Sequence, residues 1–384
     1  MPTLPRRFFV TAVALAGVTV LACGGCGKKS GDDIPVGAFL SLSGRDTTFG
    51  TDTRDGIELA LQEVNGAGGI KGKKVRVIYE DDKSTPAEAT NKVRQLIDRD
   101  GVVAILGEVA SSRSLAGGLI ANSKHVPMVS PSSTAVEVTK DREYVFRVCF
   151  TDVQQGDVAA RFVHDTMKKN KVGLFYVAQD NYSSGLAQSF RDSFTKLGGT
   201  IVLEKGYPEK ETNFTTFLEA FKAAGPEAIF VPVYYTDMVQ IARQAKSAGI
   251  PGTMFVGGDG WDSENLIQGA GAELEGAYFT NHYAPDVPWE NSQAFLKNFK
   301  TKFGRDPGSL AAQGYDAAKL LFDAMSRATE IAPEPIKNAI ADTKNFQGAT
   351  GTLTIDQNHN ANKPIVVVQV KNKKFTYSAQ LTAK

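Results

Sequence analysis

A chain of 384 residues with a formal net charge of +1 is too long for one ordinary core and shows no basic stripe for nucleic acid. Its 37 glycines and 42% hydrophobic content fit a turn-rich α/β protein, so two domains are the default.

Arg6 and Arg7 precede an apolar run from Phe8 to Ala22, the charged and hydrophobic regions of a signal peptide. The run is shorter than the roughly 20 residues a membrane span needs. It ends at Val20-Leu21-Ala22-Cys23, which resembles a bacterial lipoprotein cleavage box. Residues 1–22 are therefore expected to be removed, Cys23 to carry lipid, and 23–33 to form a flexible tether. Cys26 fits the box less well, and plain secretion with cleavage near Ala22 is the alternative. Cys149, the remaining cysteine, sits in the apolar run Val145-Phe146-Arg147-Val148-Cys149-Phe150 and reads as a buried, inert thiol.

Along the body, short apolar runs alternate with amphipathic stretches. Val36 to Leu40 reads as a strand, and Ile57, Ala60, Leu61 and Val64 share one helical face. Val75 to Tyr79 is a second strand. Thr85-Pro86-Ala87-Glu88 is a helix start, with a capping box and proline at the first helical position. Strands at 102–106 and 126–130 extend the pattern to a parallel sheet covered by helices. After about residue 151 a second set follows, with helices 154–169, 184–197, 213–224 and 237–248 leading to strands at 172–177, 200–203, 228–232 and 254–256. The last hundred residues hold helical stretches 291–303, 310–329 and 335–341, then strand-like 351–355, 365–370 and 375–377. These are too few for a third core, so the chain is expected to recross, adding helices to the first lobe and strands to the second. Side-by-side crossings make a hinge.

Two segments carry the functional argument. Gly107-Glu108-Val109-Ala110-Ser111-Ser112 and Ser130-Pro131-Ser132-Ser133-Thr134-Ala135-Val136-Glu137 each follow an apolar run and lead into a segment that can be helical. Strand ends would thus deliver hydroxyls and free N–H groups to two helix starts, a site suited to a carboxylate. Simple N-capping by Ser and Thr is the plainer alternative. In the second set, Tyr182, Tyr234 and Asp259 follow strands, and Asp259 lies among Gly257, Gly258 and Gly260. Gly66-Ala67-Gly68-Gly69-Ile70-Lys71-Gly72 follows a helix and lacks a Gly-Lys-Ser/Thr ending, so it reads as a helix-terminating loop. Glu80-Asp81-Asp82 reads as a solvated turn. His125, His164, His282 and His359 show no metal-ligand spacing, so neither metal nor cofactor is expected.

Together these motifs resemble the periplasmic branched-chain amino-acid-binding proteins of the leucine/isoleucine/valine type, over nearly all of residues 34–380. Leu42-Ser43-Gly44 with Phe49-Gly50, Asp81-Asp82, and Met238 to Ala245 also carry the likeness. It implies a type I periplasmic binding protein, α/β, with two doubly wound lobes joined by three crossovers. The first lobe would comprise 34–151 plus 282–358, and the second 152–281 plus 359–384. Ser111 and Thr134 would take the α-carboxylate. Ser132 would offer its carbonyl to the α-ammonium, Asp259 would pair with that ammonium, and Tyr182 and Tyr234 would close over the ligand. Phe49 stands where a tyrosine is common, and Leu310 would line the side-chain pocket. Ser84 and Ala110 replace the disulfide of some relatives. Glu108 adds a carboxylate near the site, tuning specificity or facing solvent.

The expected function is capture of an amino acid, branched-chain or otherwise aliphatic, and delivery to an ABC permease. The expected form is a monomer, lipid-anchored on the periplasmic side of a bacterial membrane. A ligand sensor is the alternative, as is a binding protein for an amide, γ-amino acid or aromatic acid. A secreted hydrolase using Ser111 or Ser112 is disfavoured, because no nucleophile–base pair is visible.

Overall fold

The computed structural model describes residues 33–383. The signal segment, Cys23, Cys26 and the tether as far as residue 32 lie outside the described residues. The chain begins β1 (Ile34–Leu40), α1 (Thr47–Gly66), β2 (Val75–Asp81), α2 (Pro86–Asp98), β3 (Ile105–Leu106), α3 (Ser111–Ser123), β4 (Met128–Ser130) and β5 (Val145–Arg147). These strands form one sheet in the order β2-β1-β3-β4-β5, parallel throughout. At the start of α2 the Thr85 hydroxyl accepts the Glu88 N–H at 3.3 Å, with Pro86 in the first turn. A proline there has no N–H to leave unpaired.

The second sheet follows through α4 (Asp152–Arg161), β6 (Lys171–Val177), α5 (Asn181–Lys196), β7 (Thr200–Tyr207), α6 (Thr215–Ala224), β8 (Ala228–Val231), α7 (Tyr235–Ser247), β9 (Phe255–Gly257), α8 (Glu264–Ala270) and β10 (Tyr278–Asn281). The chain then adds α9 (Glu290–Phe303), α10 (Ser309–Arg327) and α11 (Pro333–Ala341), and a small antiparallel sheet of β11 (Phe346–Gly348), β12 (Gly351–Ile355) and β13 (Ala361–Asn362). Finally β14 (Ile365–Lys371) and β15 (Lys374–Leu381) join the edge of the second sheet antiparallel, giving the order β15-β14-β10-β9-β8-β6-β7. The chain thus changes sheets three times: after β5, after β10 and after β13.

The late helices complete the first lobe. Ala317, Leu320, Leu321 and Met325 of α10 and Ile336 and Ile340 of α11 share one core with Val36, Ala38 and Leu40 of β1. Helices α1 and α10 approach closely at Gly56 and Gly314. A Cβ on Gly56 would stand 1.9 Å from the Ala311 oxygen, and one on Gly314 2.4 Å from the Thr53 oxygen.

Three readings change. The stretch 102–106 pairs only over Ile105–Leu106, and 154–169 is α-helical only to Arg161 before a π-helical turn at Phe162–Thr166. The acidic run at 80–82 is not a solvated turn. Asp82 is buried, accepts the Ser41 hydroxyl at 2.8 Å, and burial together with Glu108 pushes its carboxyl up to about 8.

Candidate functional site

The carboxyl ends of both sheets face a narrow cavity lined by Phe49, Val109, Ser111, Ser132, Thr134, Tyr182, Tyr234, Asp259, Gly260 and Leu310. All seven residues expected to meet ligand stand on this one wall, and Leu310 joins them. The crevice at strand carboxyl ends is where open α/β sheets bind ligands.

From the first lobe, Ser111 opens α3. The residue before it, Ala110, has no side-chain oxygen and makes no cap. The Ser111 hydroxyl instead accepts the Ala135 N–H at 3.1 Å, which ties α3 to the neighbouring loop. Thr134 does not start an α-helix. Only a 3-10 turn at Val136–Val138 follows, without a side-chain cap. The cause is Arg147 of β5, fully buried, which donates to the carbonyls of Ser133 (2.6 Å) and Ala135 (2.8 Å). The guanidinium pins this loop, and the Ala135 carbonyl also accepts the Val138 N–H at 3.1 Å, which closes only the 3-10 turn. The Thr134 hydroxyl is left buried beside the Asp152 carboxyl at the start of α4, with no closer hydrogen bond among the described residues. One helix start therefore faces the cavity from this lobe, not two.

From the second lobe, Tyr182 and Tyr234 stack with ring centroids 5.1 Å apart and 8° between planes. Phe49 meets the Tyr234 ring edge-on at 5.6 Å, across the cleft. The Tyr182 hydroxyl accepts the Gly260 N–H at 2.9 Å, and the Tyr234 hydroxyl is buried and unpaired among the described residues. Burial pushes both phenols well above their ordinary value, so they act as neutral rings. The glycines around Asp259 admit these rings. A Cβ on Gly258 would stand 2.6 Å from the Tyr182 hydroxyl oxygen, and one on Gly257 2.2 Å from the indole of Trp261. Trp261 itself turns away from the cavity; its Nε1–H donates to the Val231 carbonyl at 3.0 Å.

Asp259 is 8% exposed, and both its oxygens are held. Gln155 Nε2 donates to Oδ1 at 2.9 Å, and His282 Nε2 lies 3.0 Å from Oδ2. His282 Nε2 is also 3.1 Å from the Ser132 hydroxyl. Gln155 and His282 escaped the sequence reading. Their partner lies 104 and 23 residues away, so no local spacing signals them. Ser132, His282 and Asp259 are the residue types of a hydrolase triad, but both partners meet the same ring nitrogen, and Nδ1 has none among the described residues. A triad needs the carboxylate on the opposite nitrogen from the serine.

Glu108 neither faces solvent nor lines the cavity. It is fully buried, accepts from the Ser41 and Ala110 N–H groups and from Arg113 Nε at 3.0 Å, and so pins the start of α3 to β1. Arg113 Nη1 continues to Asp46 at 3.0 Å. Cys149 is buried, and burial pushes its thiol up to about 12, as an inert thiol requires.

Two α/β lobes with a lined cavity between their strand ends define a two-lobed solute-binding protein. Residues 33–374 match the family model for periplasmic binding protein, and the chain belongs to that family, whose members work outside the cytoplasm. The leucine binding protein LivK of Thermotoga maritima is similar at 35% identity and a TM-score of 0.86, over 91% of this chain and 99% of that one. LivJ of Streptococcus pneumoniae, a branched-chain amino acid transporter substrate binding protein solved with isoleucine, is similar at 32% identity and a TM-score of 0.85, over 92% and 99%. Leu/Ile/Val-binding protein homolog 1 of Brucella abortus is 27% identical over 354 residues, 92% of each chain.

Proposed function

We propose that this protein captures an amino acid with an aliphatic side chain between its lobes and presents it to an ABC permease. The observation that carries the reading is the polarity of the cavity wall. Ser111 and Thr134 stand on the first lobe, where a carboxylate is favoured, and Asp259 stands on the second, where an ammonium is favoured. Phe49, Val109 and Leu310 supply an apolar wall for the side chain. Ser132 contributes through its carbonyl or hydroxyl, and the stacked pair Tyr182–Tyr234 covers the bound molecule. The protein performs no chemistry on its ligand.

The first lobe is read as 34–151 plus 282–358 and the second as 152–281 plus 359–384. Before the body, residues 1–22 direct export, Cys23 carries the lipid, and 23–33 tether a monomer to the membrane. The permease reads the closed form, so the ligand must favour that form.

A thermal-shift and calorimetric screen of the body from residue 31 tests the reading, using aliphatic amino acids, amides, γ-amino acids and aromatic acids. Branched-chain amino acids should give the largest shifts. Asp259→Ala should weaken them at least tenfold, since a hydrogen bond to a charged group is worth roughly 1.5–3 kcal/mol. A response confined to aromatic acids would reject the assignment.

A further inference from the structure

The ammonium partner is not a free side chain. Asp259 Oδ1 accepts from Gln155 Nε2 at 2.9 Å, and Oδ2 faces His282 Nε2 at 3.0 Å. A carboxylate only accepts, so the hydrogen of this contact is on the imidazole. The ring also stacks on Phe150 with centroids 4.0 Å apart, and the same Nε2 lies 3.1 Å from the Ser132 hydroxyl. Both holders are fully buried, and neither lines the cavity. Their places in the chain are telling. Gln155 is in the first turns of α4, just after the first change of sheet, and His282 follows β10 directly, at the second.

We propose that His282, seconded by Gln155, is a positioning residue for amino-acid recognition, fixing the Asp259 carboxylate at the angle at which it meets the ligand's ammonium. This rests on the assignment of Asp259 to the ammonium. Each carboxylate oxygen spends one lone-pair direction on a neutral donor and keeps another for the cavity. Neutral donors matter, because a cation in the place of His282 would compete with the ammonium for the same charge. Burial pushes the imidazole below its ordinary value even though Asp259 pulls the other way. Because both holders ride on the crossings, the carboxylate is aligned by the hinge itself rather than by a loop of either lobe. Ser132, from the first lobe, and Asp259, from the second, meet on one nitrogen, so closure and alignment share a contact.

The test compares leucine with 4-methylpentanoate, which keeps the carbon skeleton and carboxylate but lacks the amine. Binding is measured by calorimetry and by competition for the parent, His282→Phe, His282→Gln and Asp259→Ala. His282→Phe keeps the stack on Phe150 and removes the donor. It should weaken leucine about tenfold, the scale of one charge-assisted hydrogen bond, and leave 4-methylpentanoate nearly unchanged. His282→Gln, which restores a donor, should recover most of the loss. A folded His282→Phe that binds leucine like the parent, or that loses both ligands equally, overturns the proposal. Should His282→Phe fail to fold, Gln155→Leu with the same ligand pair decides in the same terms. Asp259→Ala separates the two levels. If it leaves the preference for the amino compound intact, the site assignment falls and this proposal with it. If it abolishes the preference while the His282 and Gln155 variants do not, only this proposal falls.

Discussion

Removing Arg45 should weaken every ligand by the same factor without touching the cavity. Arg45 lies between β1 and α1, on the first lobe, and reaches the start of α7 on the second. Its Nη2 donates to Asp237 Oδ1 and to Thr236 Oγ1, both at 2.7 Å, and the Tyr235 hydroxyl donates back to the Arg45 carbonyl at 3.0 Å. None of these four residues lines the cavity, so the contact acts only by favouring closure. Its size follows from exposure. The Arg45 side chain is 40% exposed and Asp237 is 12% exposed, so solvent screens the pair. Exposed ion pairs are worth roughly 0.2–1 kcal/mol, and the Thr236 contact keeps this one near the upper end. About 1 kcal/mol is roughly a fivefold change in an equilibrium constant. Arg45→Ala should therefore raise Kd about fivefold for all ligands by calorimetry, preserve their ranking, and show a smaller gap at high salt. A double-mutant cycle with Asp237→Ala should return a coupling of about 0.5–1 kcal/mol. A changed ligand ranking would put Arg45 in the site, and an unchanged Kd would place the closing energy elsewhere.

Thr134→Val keeps the side-chain volume and removes a hydroxyl that meets only the buried Asp152 carboxyl, so the apo unfolding temperature should fall little while affinity for amino acids drops about tenfold or more. Calorimetry that finds affinity intact removes Thr134 from the ligand. Cys23→Ser should release the protein or leave it unprocessed, and Cys26→Ser should not; membrane fractionation of both decides between the two anchors. Burial holds the His282 imidazole below its unfolded value. As pH falls below about 6.5, the unfolded chain binds a proton that the folded one resists. The parent should then lose stability relative to His282→Gln between pH 7 and 5, read by denaturant unfolding. A constant difference across that range contradicts a lowered imidazole.

The alternation of apolar runs and amphipathic helices was legible because the central strands, such as β1, β6 and β8, are buried on both faces and most helices on one. The helix start at Thr85-Pro86 was legible because its chemistry is local. The wall of the cavity was legible through strand ends and the family likeness, and seven widely separated residues do meet there. What escaped depends on distant partners. Strand β10 is four residues long and gains its identity from β9 and β14 on either side. Thr134 lost its helix to Arg147, 13 positions on. Glu108 looked like a free carboxylate because Ser41, its partner just after β1, lies 67 residues away. His282 looked like a lone histidine because its partner Ser132 is 150 residues away, across the cleft. Buried polar pairs of this kind leave no periodicity in the chain.

They also explain why the closed form needs its ligand. Shutting the cleft buries the Tyr234 hydroxyl with no protein partner among the described residues, and leaves the Thr134 hydroxyl beside the buried Asp152 carboxyl. An unpaired buried polar group costs about 1–3 kcal/mol, and an open cleft would give the same groups water. Closure alone therefore carries a penalty of about 1–3 kcal/mol, at or above the roughly 1 kcal/mol of the Arg45 contact. A ligand carboxylate gives the Thr134 hydroxyl a charge-assisted bond, and a ligand ammonium does the same for the spare lone pairs of Asp259. The swing available is comparable to the roughly 5.5 kcal/mol needed to move a two-state population from 1:99 to 99:1. An acid without the amine earns only the first half of that swing. It should bind the first lobe and leave the cleft largely open, so a permease that reads closure would refuse it. Small-angle scattering at saturating 4-methylpentanoate should accordingly show a particle more extended than the leucine complex, and equal compaction by both would mean that the ammonium contact does not drive closure.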